Sequence, residues 1–292
     1  MSLLNVNSIT KEYKDFSLKN ISFELPAGYI MGYVGRNGAG KTSTLNIISG
    51  MSRQKSGIVT IDGCTIQSNE QEYINSIGYI GDESFFPKGF KIGAVEMVLK
   101  SFYPTFSVEK FRGYVEEWKL PRDKKIEQFS RGMKVKLMFA CVLSRETKLL
   151  VLDEATNGLD PVVRKEIMQI LQNYVEDGEH SILFSTHILN DLEQIADYVV
   201  FIENGEILIN DAKDDLMEKF LIVKGGPTDL TAAVKGKLIG VEQNSMGFEA
   251  LISSDDSVSF DNRYLLEKPT IDQIILHQIA EQTRRVAGRS IA

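Results

Sequence analysis

The chain opens on two stretches of alternating apolar and polar positions. Leu3 to Ile9 alternates, and Phe16 to Leu25 does so again before Pro26-Ala27-Gly28, which predicts two half-buried β-strands followed by a tight turn. The texture then changes. Tyr29-Ile-Met-Gly-Tyr-Val34 is almost continuously apolar, the pattern of a strand buried on both faces. It leads straight into a glycine-rich loop, and Thr42 to Ile48 reads as a helix that ends at Gly50. Two further doubly buried strands are predicted at Lys148 to Asp153 and Ser181 to Thr186, separated by a helix from about Val162 to Val175. Such alternation builds a parallel sheet wrapped by helices. Tyr198 to Ile202 and Ile207 to Ile209 flank Asn204-Gly205, a strong hairpin signal.

Two regions break this rhythm. From Glu83 to Gln128 the chain is helical in pattern, rich in aromatic residues and interrupted by Pro87, Pro104 and Pro121, as expected of a helical insertion in an α/β core. After Asp211 come candidate strands at Leu221 to Val223, Lys237 to Val241 and Phe248 to Ile252, then a helix from Thr270 to Ala280. The pattern therefore predicts a main domain over 1–212 with a helical subdomain at about 83–145, and a small α+β domain over 213–292. A length of 292 residues suits one sizeable core with an appendage. There is no internal repeat and no low-complexity segment.

Composition adds mainly exclusions. The 43% hydrophobic and 25% charged content is that of an ordinary soluble globular chain, and a net charge of -7 argues against a nucleic-acid partner. Cys64 and Cys141 are too few for a disulfide framework; both are expected to pack as small apolar residues in a reducing cytosol. The N-terminal Met1-Ser-Leu-Leu-Asn-Val-Asn7 does not have the pattern of a signal peptide, and no run approaches the ~18 apolar residues of a membrane span. A cytoplasmic chain is expected. Arg284 to Ala292 is polar and reads as a frayed tail.

The chemistry begins at Gly35-Arg36-Asn37-Gly38-Ala39-Gly40-Lys41-Thr42, which fits G-x-x-x-x-G-K-[ST] and lies between a buried strand and a helix. Glycines let successive backbone N–H groups curl around phosphate oxygens, the helix N-terminus favours negative charge, and Lys41 adds a cation for the β and γ phosphates. Thr42 is placed to ligate Mg2+, and Ser43 closes the expected nucleotide-binding set. Leu149-Leu-Val-Leu-Asp153-Glu154 supplies an apolar strand ending in adjacent carboxylates. Asp153 suits Mg2+ and Glu154 suits the orientation and deprotonation of a water attacking the γ-phosphate. An acidic helix cap is the bland alternative for the pair.

Three further segments narrow the reading. Phe129-Ser130-Arg131-Gly132-Met133-Lys134 opens a helix before the second buried strand, Asn157-Gly-Leu-Asp160-Pro follows that strand, and His187 ends the third. In this order the motifs resemble the ATP-binding subunits of ABC transporters over essentially all of residues 1–210. The resemblance implies a P-loop NTPase core of α/β class, a mixed sheet flanked by helices, with an N-terminal antiparallel β-subdomain, the helical insertion and the α+β appendage. It also implies an ATPase working as a head-to-tail dimer. ATP on one subunit's loop would then be covered by Ser130, Arg131, Gly132 and Met133 of the other, with Asp160 linking the two sites. Lys41, Glu154 and His187 would be catalytic, His187 sensing the γ-phosphate, and Tyr13 would stack on adenine.

Two departures accompany the resemblance. The signature carries Arg131 and Met133 at its third and fifth positions in place of Gly and Gln, as in ABC-2-type exporters. After Ile77-Gly-Tyr-Ile80 the family usually has glutamine, where this chain has Gly81-Asp82-Glu83; either acid could take that place, which makes Asp82 a further candidate for Mg2+. Of the insertion's rings, most are expected to form a small core, with Phe85, Phe86 and Phe90 as candidates for docking a membrane subunit. The resemblance thus implies the motor subunit of an exporter, paired with itself or a paralogue and peripheral on the inner membrane face, with peptides, toxins or drugs as cargo. A nucleotide-gated regulatory module with little turnover is the alternative.

Overall fold

A computed structural model describes residues 2–87, 89–186 and 188–289, with side chains as far as Arg284, and the chain divides into two compact units, 1–210 and 211–292. The first unit begins with β1 (Ser2–Glu12) and β2 (Ser17–Pro26); β3 (Ile30–Gly35) and α1 (Lys41–Ile48) intervene before β4 (Ser56–Ile61). β2, β1 and β4 form an antiparallel sheet in that order. Leu18, Ile21, Phe23 and Leu25 of β2 turn inward because apolar residues recur there, and they join Met31 and Tyr33 of β3 and Leu45 of α1 in one core.

A short helix α2 (Glu70–Asn75), capped by the Asn69 side chain, precedes β5 (Ile77–Ile80). The helical insertion then supplies α3 (Ile92–Phe102), α4 (Val108–Glu117) and α5 (Arg131–Leu143). Beyond them follow β6 (Leu149–Asp153), α6 (Pro161–Val175), β7 (Ser181–Ser185), α7 (Leu189–Ile195), β8 (Tyr198–Glu203) and β9 (Glu206–Ala212). The main sheet has the order β5-β6-β7-β3-β8-β9. Its first five strands are parallel, and the two-residue turn Asn204-Gly205, at φ +50° and +75°, sends β9 back antiparallel. The sheet is therefore mixed. β3, β6 and β7 are buried along their whole length, which is why they lack alternation.

Ile92, Val95, Phe106, Phe111, Val115 and Phe129 form the core of the helical insertion, and Leu137, Ala140 and Cys141 of α5 complete it. Phe86, Phe90, Tyr103 and Trp118 pack at its edge. Phe85 and Phe102 do not join it: they are 62% and 72% exposed. Cys141 is buried as expected, but Cys64 is only half-buried. It sits in the turn after β4, with its Sγ facing Thr65 and Ser68 oxygens at 3.5 and 3.6 Å.

In the second unit α8 (Lys213–Lys219), β10 (Phe220–Gly225), α9 (Ala232–Lys235), β11 (Ile239–Gln243), β12 (Phe248–Ser253), β13 (Leu265–Glu267) and α10 (Ile271–Arg289) follow in turn. The strands form an antiparallel sheet, β11-β12-β10-β13, around Val223, Phe248, Ala250 and Ile252, with α10 against β11 and β12. β11 starts later than Lys237, because the Lys237 N–H closes the turn after α9 on the Val234 carbonyl at 3.0 Å. α10 runs past Ala280, and the frayed tail predicted from Arg284 is helical as far as Arg289; 290–292 lie outside the described residues. Arg284 helps to anchor this extension, donating to the Val241 carbonyl at 3.4 Å. No described helix is long and apolar enough to cross a membrane.

Candidate active site

The C-terminal ends of β3, β6 and β7 lie side by side, Ser185 standing in register with both Tyr33 and Asp153. In parallel sheets this edge is where a crevice opens to ligand. The loop from β3 to α1 crosses it with Gly38 and Gly40 at φ +82° and +115°. Gly40 is doubly constrained, since a Cβ there would stand 2.6 Å from Leu18 Cδ2 and 2.8 Å from Phe16 Cζ. α1 starts without a side-chain cap, which leaves its first-turn N–H groups to an anion. The loop is braced from behind. The Ala39 carbonyl accepts the Gly205 N–H at 3.0 Å, the Gly205 carbonyl accepts the Lys19 N–H at 2.8 Å, and a Cβ on Gly205 would meet the Ser17 carbonyl at 1.9 Å.

Lys41 is 5% exposed, and its Nζ donates to the Gly35 and Arg36 carbonyls at 2.8 and 3.3 Å while lying 3.4 Å from Glu154 Oε1. A buried ammonium needs such acceptors. In front of it opens a cavity of about 550 Å³ lined by Tyr13, Phe16, Asn37, Gly38, Gly40, Lys41, Thr42, Ser43 and Glu154. The half-exposed Tyr13 ring sits at this mouth, its centroid 6.0 Å from that of Phe16 and 5.3 Å from Lys11 Nζ. Arg36 points elsewhere, its Nη1 3.7 Å from the buried Glu203 Oε1. A roomier cleft of about 930 Å³, lined by Tyr114, Trp118, Tyr174 and His180 among others, contains none of these motif residues.

Asp153 and Glu154 differ in environment although adjacent. Burial pushes the Asp153 carboxyl above its ordinary value, while the Thr42 and Ser185 hydroxyls and Lys41 act more weakly in the opposite direction. Tyr79 Oη lies 3.5 Å from Asp153 Oδ2. Among the described residues Asp153 Oδ1 and Ser185 Oγ make no hydrogen bond of ordinary geometry, so the Thr42 and Ser185 hydroxyls act on the carboxyl as close neighbours. A buried carboxylate oxygen left without a donor beside the Thr42 hydroxyl is the donor set of a hard cation, so Mg2+ fits these residues. Glu154 instead has φ +53°, a strained conformation for a residue with a side chain, held by its N–H to the Ser185 carbonyl at 3.0 Å. Asn157 Nδ2 donates to Glu154 Oε2.

The signature and Asp160 stand apart from this cavity; among the described residues none of Ser130, Arg131, Gly132, Met133 or Asp160 lines it. Ser130 caps α5, accepting the Met133 N–H at 3.3 Å, and Asp160 caps α6 through the Val162 and Val163 N–H groups at 3.1 Å each. A Cβ on Gly132 would stand 3.1 Å from Val163 Cγ1, so the two helix starts are packed together. Met133 turns back against the core of the helical insertion. Asp82 is ion-paired with Arg131. His187 lies outside the described residues.

Phe16, Tyr79, Asn157, Ser185 and Glu203 were not predicted to serve the site. Asn157 lies within the segment read for Asp160, and Ser185 within a predicted strand. For Ser185 the missing signal is strand order, which sets it beside Asp153; Asn157 reaches Glu154 within one turn, three residues on, so that contact was local and readable.

Comparison with known proteins adds to this geometry. A family model described as ABC transporter matches residues 18–157. The lantibiotic transport ATP-binding protein SrtF of Streptococcus pyogenes is 31% identical over 232 residues, covering 75% of this chain and 96% of that protein. The chain belongs to the ABC transporter ATP-binding family. This ABC ATPase is also 31% identical over 214 residues to the bacitracin transport ATP-binding protein BcrA of Bacillus licheniformis, covering 71% of the chain and 69% of the relative. A solved ATP-binding subunit of an ABC transporter superposes with a TM-score of 0.67 at 25% identity, over 74% of this chain and 92% of that one. The chain is thus the ATP-binding, ATP-hydrolysing subunit of an ABC transporter.

Proposed function

We propose that this ABC ATPase powers export by a separate membrane-spanning subunit, with amphipathic antimicrobial peptides or related toxins and drugs as cargo. The observation that carries the catalytic part is the contact between buried Lys41 and Glu154 at the floor of the 550 Å³ cavity. Entering phosphates would draw Lys41 toward the β and γ oxygens and free Glu154 to face water. Glu154 would take a proton from the water attacking the γ-phosphorus, with ADP as the leaving group. Thr42 and Asp153 would hold Mg2+, which would neutralise charge on the phosphate oxygens. Tyr13 would stack on the base, and His187 would sense the γ-phosphate.

On this reading two subunits close head to tail on two ATP molecules, as the family resemblance implies. The exposure of Ser130 and Arg131 at the α5 start, apart from their own chain's cavity, supports it, with Gly132 buried behind them against Val163: Ser130 and the Gly132 backbone would face the nucleotide of the opposing subunit, itself a second copy or a paralogue, with Asp160 linking the two sites. Export and cargo rest on the lantibiotic and bacitracin transport relatives. The chain would then lie on the inner face of the membrane through its partner. Reconstituting the full chain with its co-purified membrane subunit and measuring phosphate release against added peptides tests the proposal. Turnover stimulated by such peptides is expected; co-purification with an extracytoplasmic binding protein and no response to exported peptides would overturn it.

A further inference from the structure

Two residues that depart from the family pattern, Arg131 in the signature and Asp82 after β5, are 49 residues apart and pair with each other. Arg131 Nη2 donates to the Asp82 carboxylate and, at 3.3 Å, to the Asp82 carbonyl, so the guanidinium holds both the side chain and the backbone of one residue. Its other flank rests on the turn after β6: a Cβ placed on Gly158 would stand 3.4 Å from Arg131 Nε and 3.5 Å from its Cδ. That turn also carries Asn157, which donates to Glu154. β5 and β6 are neighbours in the sheet, so Arg131 bridges the segments that leave two adjacent strands.

A pair this exposed, with side chains 41% and 52% accessible, contributes little to stability. Its geometry nevertheless joins three things: the 81–86 segment with its exposed Phe85, the start of α5, and the turn that holds Glu154. We propose that Arg131 is a positioning residue, which through Asp82 on one side and the 157–158 turn on the other makes the orientation of Glu154 depend on the 81–86 segment. Displacement of that segment by a docked partner would then change ATP turnover without changing ATP affinity. The inference rests on Glu154 acting as the base, and it adds a link that runs through two of the residues in which this chain departs from its family.

The test uses the full chain carrying Asp82→Asn, Arg131→Gln, Arg131→Lys, or the charge exchange Asp82→Lys with Arg131→Glu. Two readouts are taken: kcat against Kd for a fluorescent ATP analogue, and amide hydrogen exchange at 154–158. Asp82→Asn and Arg131→Gln are each expected to lower kcat by about threefold to thirtyfold, the span of a coupling residue outside the reacting groups, with a much smaller change in Kd when that is measured without Mg2+ on the unpaired subunit, where Arg131 covers no opposing nucleotide. They should also speed exchange at 154–158. Arg131→Lys and the charge exchange should recover part of both losses. Unaltered exchange at 154–158 in the single variants, or a charge exchange no better than either single change, overturns the proposal. Glu154→Gln separates the two readings: full turnover in that variant defeats the assignment of the base, while faster exchange in Arg131→Gln would still show the link.

Discussion

Glu154→Gln is the most informative single change, because the structure predicts different sizes for its effects on stability and on turnover. The carboxylate lies 3.4 Å from Lys41 Nζ, a separation worth about 5 kcal/mol of Coulomb energy at an effective dielectric near 20. Most of that is offset by the desolvation of both groups. Glutamine keeps the volume and one acceptor oxygen, which serves Lys41 or Asn157 but not both; Lys41 retains the Gly35 and Arg36 carbonyls, and the Asn157 amide can turn its oxygen to the new NH2 group. Unfolding free energy should therefore change by less than about 2 kcal/mol, within the ordinary span of point variants. Loss of a general base typically costs about 10²–10⁴ in rate, or roughly 3–5 kcal/mol in barrier. Phosphate release and thermal unfolding of the full chain, measured beside wild type under the same Mg-ATP, give both quantities. Turnover above a third of wild type in a folded variant would refute the role given to Glu154.

Gly40→Ala should lose about 2–5 kcal/mol of stability and ATP binding with it, from a left-handed backbone plus overlap with Leu18 and Phe16; Gly38→Ala, which meets open space, should lose only about 1–2 kcal/mol, and equal thermal shifts would contradict the geometry. Tyr13→Ala should weaken ATP and GTP together by about 1–3 kcal/mol, as stacking does not select among bases, whereas Tyr13→Phe should leave both intact in a nucleotide titration. Asp153→Asn should raise the Tm of the nucleotide-free protein at pH 7 while abolishing Mg-dependent turnover. Burial raises the folded pKa of Asp153 above its unfolded value of 3.8, so its ionisation opposes folding increasingly as pH climbs from 3.8 through the folded pKa. The Tm advantage of the variant should shrink toward pH 4, and a lower Tm at pH 7 would reverse the assignment.

Much of this molecule is legible in the sequence where chemistry and periodicity are local. β3, β6 and β7 announce themselves as apolar runs because both their faces are covered, and the phosphate loop follows from eight consecutive residues. β4 escapes notice since Ser56-Gly57 begins it on exposed, strand-poor residues, and α2 and β5 because each is shorter than two helical turns or a typical strand. Predicted site residues converge where they are neighbours in sequence, at Gly35 to Ser43 and at Asp153-Glu154. What local reading misses comes from other strands and loops. Ser185 reaches Asp153 only through the order of β6 and β7, Phe16 reaches Gly40 only through the stacking of two sheets, and no pattern announces that Arg131 and Asp82 meet.

Hairpin turns are usually the parts of a protein most tolerant of insertion and exchange. Asn204-Gly205 is closed to both, because its backbone is clasped by Ala39 of the phosphate loop on one side and by Ser17 and Lys19 of β2 on the other. A lengthened or substituted turn would loosen the grip on nucleotide from outside the lining of the cavity. Screens that score variants only by distance from the bound molecule would misfile such a lesion as a surface change.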